Sequence, residues 1–251
     1  MQQLKRLYRN NYAGENIISQ LTLSGGEWNP TTEYVPNSVT NTHTTSQAVA
    51  VGNGESRLGF NLALIQHHHA GMYGADSLQS YACNAAYRDF TPDFLIATGD
   101  DIVEEIANSG YCENNIVYTS ADKLLKYPNK FYLIPQNIQN DAGSIATYMA
   151  CFDGHKKVFL LGYDHYDMTG PYNNVYKNTN GYLTDTDTDN GEYFVKCLRQ
   201  VIETYSDVDF VRVTPTNSYW LHSRLEPLLN LRQISYNDFA IEADLGVISV
   251  A

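Results

Sequence analysis

From residue 48 onward, short apolar runs alternate with helical stretches such as DDIVEEIANSG and SIATYMACFDG. Strands that alternate with helices are typical of a mainly parallel sheet covered on both faces. The pattern therefore predicts an α/β, Rossmann-like fold, in which loops at the carboxyl ends of the strands line the ligand crevice. The apolar runs predicted as strands are AVAVG, SLQSYAC, DFLIATG, NIVYTS, KFYLIP, KKVFLLGY and VDFVRVTP.

The clearest helix is predicted over residues 190–205. The preceding residues 172–189 are polar and lack an apolar period, and so long a polar loop is typical of a lid or a binding loop. We expect this segment to close over a ligand. The apolar positions of the helix share one face of a 3.6-residue period and are Phe194, Val195, Leu198, Val201, Ile202 and Tyr205.

The composition of the chain indicates its domain organisation and excludes some classes of partner. Residues 1–47 are polar and rich in Asn and Thr, which predicts an irregular leader with room for one helix, followed by a single Rossmann-like domain over residues 48–251. The formal net charge of −12 disfavours a wide, non-specific contact with nucleic acid. The four cysteines form no C-x-x-C pair, and no stretch approaches 18 apolar residues. We expect a cytoplasmic protein with no membrane contact.

The first predicted strand runs into a glycine turn, G-N-G-E-S-R. Gly52 and Gly54 would let a ligand approach the backbone, and Asn53 and Ser56 offer hydrogen-bonding groups to a base, ribose or phosphate. Gly59 is misplaced for the dinucleotide fingerprint, and no P-loop G-K-[ST] is present. By itself the turn fits either a nucleotide site or a tight connection.

The stretch 141–172, DAGSIATYMACFDGHKKVFLLGYDHYDMTGPY, resembles the bacterial sialyltransferases of glycosyltransferase family 42. The shared features are a small-Ser-Gly turn that opens a helix, an apolar strand that ends in Gly-x-Asp-x-Tyr, and a second Tyr six residues later. The likeness extends over about residues 48–228 and includes GNGESR and YACNAAYRDF. It implies a sialyltransferase-type GT-A variant of the Rossmann-like fold in a divergent relative. The compact form, the acidic charge and the Asn- and Thr-rich leader favour a phage-encoded relative acting in the host cytosol.

The resemblance implies a metal-independent, inverting glycosyltransferase whose co-substrate is a nucleotide-activated, CMP-linked sugar. It implies no other cofactor. In such a pocket Asn53 and Ser56 would contact the phosphate and sugar of the nucleotide, and Asn84 would contact the cytidine. Gly143 and Ser144 would present backbone N–H groups to an anion at a helix N-terminus.

The same resemblance assigns the catalytic roles. Tyr166 and Tyr172 would donate hydrogen bonds to the leaving phosphate, although either of two tyrosines among 20 can also serve packing. The family's general base is a histidine just before the helix at 190–205, where this chain has Asp189. Asp189, or Asp187 in its place, would act as the base, and Asp189 is equally suited to cap the helix.

Several residues depart from the family pattern or suggest other chemistry. Gln139 stands in place of an arginine and Asp141 in place of a threonine, which weakens the case for sialic acid as the sugar. Asp100 follows a strand and opens a helix, so it would cap that helix or touch ribose or sugar hydroxyls. The adjacent histidines 67–69 point in different directions on any regular element, so we expect a surface loop and no metal site.

The acceptor is left open between a glycan and hydroxymethylated phage DNA, and a homo-oligomer is compatible with the sequence. Two other functions fit the glycine turn. One is a Mg²⁺- and ATP-dependent pyrophosphokinase of the hydroxymethylpterin type, and the other is a non-catalytic, nucleotide-binding phage accessory protein. The residues expected to contact a DNA acceptor first are Lys5, Arg6, Arg9, Arg57 and Arg88.

Overall fold

A computed structural model of the chain describes residues 3–10, 15–36, 47–66, 78–164, 173–182 and 191–245. Within these ranges the chain forms two sheets and six α-helices. The strands are β1 (Gln3–Asn10), β2 (Glu15–Ser24), β3 (Glu27–Pro36), β4 (Gln47–Val51), β5 (Gln79–Cys83), β6 (Phe94–Ile96), β7 (Val117–Thr119), β8 (Tyr132–Leu133), β9 (Lys157–Leu161), β10 (Asp209–Thr214) and β11 (Leu231–Ser235). The helices are α1 (Ala63–Gln66), α2 (Asp100–Ser109), α3 (Ala121–Lys126), α4 (Ala142–Phe152), α5 (Gly191–Thr204) and α6 (Tyr236–Glu242).

The larger sheet has eight parallel strands in the order β11-β10-β9-β4-β5-β6-β7-β8. The predicted α/β, Rossmann-like fold is confirmed, and the seven apolar runs of the sequence correspond to β4 through β10. The helix predicted over 190–205 is α5. Among the described residues, no helix combines the length and apolar character that a membrane crossing requires.

Two apolar layers cover the two faces of this sheet. Successive residues of a strand point to opposite faces, so Val49 and Val51 of β4 belong to one layer while Ala48 and Ala50 belong to the other. The alanines lie on the side of α4, which is buried along most of its length. The valine layer is covered by α2 and α6, and the alanine layer by α4 and α5.

The strand order reverses between β4 and β9. From β4 the chain moves outward on one side to β8, returns to β9 on the other side of β4, and moves outward again to β11. Val51 pairs with Leu161 in the register of these two strands. Ligands of open parallel sheets bind in the crevice at such a switch point. The residues that follow β4 and β9 are therefore the first candidates for ligand binding.

Residues 3–10 and 15–36 differ from the sequence expectation. They form the smaller, three-stranded antiparallel sheet β1-β2-β3 instead of an irregular leader with one helix. A two-residue turn at Gly25 and Gly26, with φ of 63° and 84°, joins β2 to β3. A Gly-Gly pair with positive φ is a strong hairpin signal, and the polar composition of the segment obscured it.

Candidate functional site

A cleft of about 200 Å³ opens at the carboxyl ends of β4, β5 and β9. Its volume is below the ~300–1,000 Å³ of a typical small-molecule pocket. Residues 165–172 and 183–190, which continue the lining segments in sequence, lie outside the described residues. The described lining consists of residues 52–54, Cys83, Asn84, residues 141–143, residues 162–164, Asn173, Asn174, Tyr182 and Phe194.

The glycines after β4 and β9 let two backbone segments cross at the floor of the cleft. The N–H of Gly54 donates to the carbonyl of Gly162 at 2.9 Å. A Cβ on Gly54 would lie 2.6 Å from Cγ of Asp164, and Gly162, with φ of 75°, would place a Cβ 2.8 Å from the carbonyl oxygen of Gly52. No side chain fits at either position. The close contact of the two backbone segments therefore requires glycine at both positions. That a ligand approaches these glycines closely stays a prediction.

Asn53 is the residue of the turn best placed for binding. Its Nδ2 donates to the Tyr182 hydroxyl at 3.0 Å, while its Oδ1 is buried and accepts no hydrogen bond from the described residues. A buried oxygen without a partner is costly, and a ligand donor would relieve that cost. Ser56 does not line the cleft. It is buried, and its backbone N–H donates to Oδ2 of Asp164 at 2.6 Å.

Asn84 and Asp100, both predicted to contact the ligand, have different positions. Asn84 lines the cleft directly after β5 in a left-handed conformation, φ 49°, and its Oδ1 accepts the N–H of Thr98 at 3.1 Å. Asp100 is exposed at the start of α2, forms an ion pair with Lys123 and does not line the cleft. The structure thus brings Asn84 to the cleft and leaves Asp100 on the surface.

The start of α4 forms one wall of the cleft. Asp141 is its N-cap, and Oδ1 accepts the N–H of Ser144 at 2.9 Å. Burial raises the pKa of Asp141, and the N–H groups of Ser144 and Gly143 oppose that rise. Gly143 lines the cleft, whereas Ser144 is buried. The predicted anion site at this helix N-terminus therefore already contains a carboxyl group of the chain itself.

Asp164, which follows β9, is a second carboxyl group in the cleft, with a side chain only 1% exposed. Burial raises its pKa, and the hydrogen bond from the Ser56 N–H together with the charge of Arg212 opposes that rise. Nη2 of Arg212 lies 3.9 Å from Oδ1 of Asp164. Nε of the same arginine donates to the carbonyl of Tyr163 at 3.0 Å. Arg212, on the neighbouring strand β10, thus fixes the position of the residues that follow β9.

Residues 173–182, part of the predicted lid, pack against the glycine turn and α2. Tyr176 is buried, and its hydroxyl accepts a hydrogen bond from Nη2 of Arg57 at 2.7 Å. Nδ2 of Asn180 donates to Oε2 of Glu105 at 2.7 Å. The described part of this segment is therefore fixed to the body of the domain, and it contributes Asn173, Asn174 and Tyr182 to the cleft.

The contacts of Glu105 predict a pH-dependent stability. Arg88 and Asn180 hydrogen-bond Glu105 and lower its pKa to about 2. This stabilisation is complete above the ordinary pKa of 4.5 and is lost as the pH falls toward 2. We expect Glu105→Gln to lower the urea midpoint at pH 7, and the difference from wild type to shrink between pH 5 and 3. Glu104→Gln, which breaks only an exposed pair with Lys126, is the control. A difference in urea midpoint between wild type and Glu105→Gln that stays constant at all pH values would contradict the stabilising role of the ionised Glu105.

The basic residues expected to contact a DNA acceptor are partly engaged elsewhere. Arg57 is 3% exposed and forms an ion pair with Asp89 at 2.8 Å, so the expectation that it contacts DNA is wrong. Arg88 is paired with Glu105. The remaining three, Lys5, Arg6 and Arg9, lie on β1.

The four predicted catalytic residues, Tyr166, Tyr172, Asp187 and Asp189, lie outside the described residues, as do the histidines 67–69. Their roles stay predictions. Within the described part of the chain, no three His, Cys, Asp or Glu side chains are grouped so that they could hold a metal ion.

Other lining residues were not predicted from the sequence. Asp164 belongs to the motif that carries the family resemblance, but no role was assigned to it. Tyr182, Asn173, Asn174 and Phe194 reach the cleft from a loop and from α5, and no local pattern distinguishes them. The position of Asp164 three residues beyond the end of β9 was the one signal that could have identified it.

Comparisons of the chain with protein-family models, with curated proteins and with solved structures find no match.

Proposed function

We propose that this chain is an inverting glycosyltransferase of the cytoplasm that binds a nucleotide-activated sugar, with CMP as the nucleotide, in the cleft between β4 and β9. The observation that carries the proposal is the convergence of three segments on one cleft. The glycine turn, Asn84 and the start of α4 are distant in sequence and all line it. They are also segments in which the sequence resembles the sialyltransferase family.

The side chains of the cleft suit a polar ligand rich in hydrogen-bond donors and acceptors. Oδ1 of Asn53 is a buried acceptor that a sugar hydroxyl or the cytosine amine would satisfy. The carboxamide of Asn84 is held through its Oδ1, which leaves the Nδ2 group to donate to the base. A fixed amide beside a small crevice is the kind of group that gives a ligand pocket its specificity.

In the proposed reaction an acceptor hydroxyl attacks the anomeric carbon while the bond to the nucleotide phosphate breaks on the opposite face. A base removes the proton of the attacking hydroxyl, a role the family resemblance gives to Asp189 or Asp187. Hydrogen-bond donors stabilise the charge on the departing phosphate, a role it gives to Tyr166 and Tyr172. No metal ion takes part in this scheme.

A glycan is the favoured acceptor. Hydroxymethylated DNA would require basic side chains along the path of a phosphate backbone. Two of the candidates, Arg57 and Arg88, are held in ion pairs within the domain. The net charge of −12 also disfavours DNA.

A thermal-shift panel of CMP, UMP, GMP and AMP, with and without EDTA, tests the nucleotide. A ligand at 100 times its Kd stabilises by about 2.7 kcal/mol, which corresponds to roughly 5–10 °C for a chain of this size. We expect this shift with CMP, unaffected by EDTA. Asn84→Ala should reduce it by more than half. Asn114→Ala, at an exposed position outside the cleft, should leave it unchanged.

The other outcomes of the panel identify the alternatives. A shift that needs ATP together with Mg²⁺ and disappears with EDTA would contradict the proposal and indicate a pyrophosphokinase. A shift with CMP but no release of CMP from any CMP-sugar, by wild type, Asp187→Ala and Asp189→Ala alike, would indicate a non-catalytic nucleotide-binding protein.

A further inference from the structure

The cleft contains two carboxyl groups, and a nucleotide phosphate would have to bind beside them. Asp141 lies at the start of α4 and Asp164 after β9. None of the described residues that line the cleft is Lys or Arg. Two ionised carboxylates would repel the negatively charged phosphate of the donor. A proton on one of them would remove part of that repulsion and supply a hydrogen-bond donor.

The two carboxyl groups differ in their partners. Asp164 accepts the Ser56 N–H at 2.6 Å and has Arg212 at 3.9 Å, and both contacts favour its ionised form. Asp141 accepts the Ser144 N–H through Oδ1. Its Oδ2 is buried and has no hydrogen bond from the described residues, which is equally true of Oδ1 of Asp164, but no Lys or Arg of the described residues lies within 4 Å of Asp141. The N–H groups of Ser144 and Gly143 favour the ionised form of Asp141 in the free protein. The negative charge of a bound phosphate would favour the neutral form and would give a carboxyl O–H an acceptor.

We propose that Asp141 recognises the donor phosphate as a neutral carboxylic acid, with its Oδ2–H donating a hydrogen bond to a phosphate oxygen. Nucleotide binding is then coupled to the uptake of one proton from solvent, which stays on the carboxyl group and is not transferred to the substrate. This inference rests on the proposed function, because it requires a phosphate in the cleft. Burial raises the pKa of Asp141, which is the direction that the coupling needs.

The other titratable groups around Asp141 do not supply a compensating charge. Burial raises the pKa of Cys83, at the end of β5, to about 12, and that of Tyr193, on α5, to about 12. Burial also raises the pKa of Tyr163 and that of Cys197. All four groups are neutral near pH 7. Charged groups also act near the cleft, namely Glu55 and Arg212 on Asp164, Arg57 on Cys83 and Lys196 on Cys197. In the described part of the chain, none of these cations lies within ion-pair distance of Asp141.

Calorimetric titration of CMP into the protein tests this coupling. Measurements between pH 7.5 and 8.5, in buffers of different ionisation enthalpy, count the protons taken up while the phosphate itself remains a dianion. Asp141→Asn keeps the size of the side chain and the helix cap but cannot ionise. Asp164→Asn changes the other carboxyl group of the same cleft and serves as the control.

For wild type and Asp164→Asn we expect uptake approaching one proton per CMP, and an affinity that falls by up to ~10-fold per pH unit. Asp141→Asn should take up no proton and should keep its affinity at pH 8.5. Asp141→Ser retains an N-cap oxygen but does not reach the phosphate, so it should lose both the proton uptake and part of the affinity.

Wild type that binds CMP without proton uptake would overturn the inference and leave the proposed function intact. The same holds if Asp141→Asn folds but takes up a proton as wild type does. Failure of wild type to bind CMP at any pH would refute both the proposed function and the role of Asp141.

Discussion

Replacing Gly162 by alanine should lower the free energy of unfolding by about 2–5 kcal/mol. Gly162 has φ of 75°, a conformation that costs a residue with a side chain roughly 1–2 kcal/mol. The new Cβ would also lie 2.8 Å from the carbonyl oxygen of Gly52 and 3.0 Å from Cδ of Arg57. A backbone oxygen cannot rotate away as the end of a side chain can, so the two loops would separate and the floor of the cleft would widen.

Gly99→Ala is the matched control for this prediction. Gly99 is the N-cap of α2, has φ of −71°, and has no atom within 4 Å of an added Cβ. Its replacement should change the stability by no more than about 1 kcal/mol. Urea unfolding followed by circular dichroism measures both variants. Equal midpoints for the two variants would show that the crossing of the loops does not require glycine at position 162.

Replacing Arg212 by methionine should cost about 3–5 kcal/mol, the usual effect of removing one member of a buried ion pair. Arg212 is 3% exposed and also donates hydrogen bonds to the carbonyl of Trp220 and to Oε1 of Gln233, both at 2.6 Å. Its removal leaves the carboxylate of Asp164 buried without a countercharge. Urea midpoints of wild type, Arg212→Met, Asp164→Asn and the double variant form the measurement.

The double variant should be more stable than Arg212→Met alone, since it no longer carries an uncompensated buried carboxylate. Burial already raises the pKa of Asp164 in the folded state. In Arg212→Met the destabilisation is therefore largest at high pH and is relieved as the pH falls and Asp164 is protonated. A double variant that is as unstable as Arg212→Met at every pH would assign the loss to the hydrogen bonds with Trp220 and Gln233 instead.

The large sheet could be predicted from sequence because its strands are buried on both faces and therefore read as apolar runs. The strand at one edge, β11, could not. Its sequence LRQIS is half polar, and Arg232 pairs there with Glu242 and Asp209 at the surface. The hairpin of β2 and β3 was missed for a related reason, since antiparallel strands can be solvated on one face and need no continuous apolar run.

The cleft residues that follow a strand or open a helix could be predicted from the sequence, but those that reach the cleft from a loop could not. Parallel strands place their carboxyl ends at one edge, so Asn53, Asn84 and Gly143 could be expected to meet. The position of Tyr182 depends on how a loop folds back, which no short-range pattern encodes. The state of Asp141 depends on burial against residues more than 50 positions away, such as Cys83 and Cys197.

The pairing of β4 with β9 has a consequence for synthesis of the chain. Val51 pairs with Leu161, which is synthesised more than 100 residues later. A nascent polypeptide can therefore assemble β4 through β8 while one side of β4 has no partner strand. An unpaired strand of buried residues is a template for association with other chains. A truncated product that ends before Lys157 should therefore aggregate rather than persist as an inactive folded fragment. Because residues 162–164 line the cleft, only a chain extended beyond them could bind the ligand.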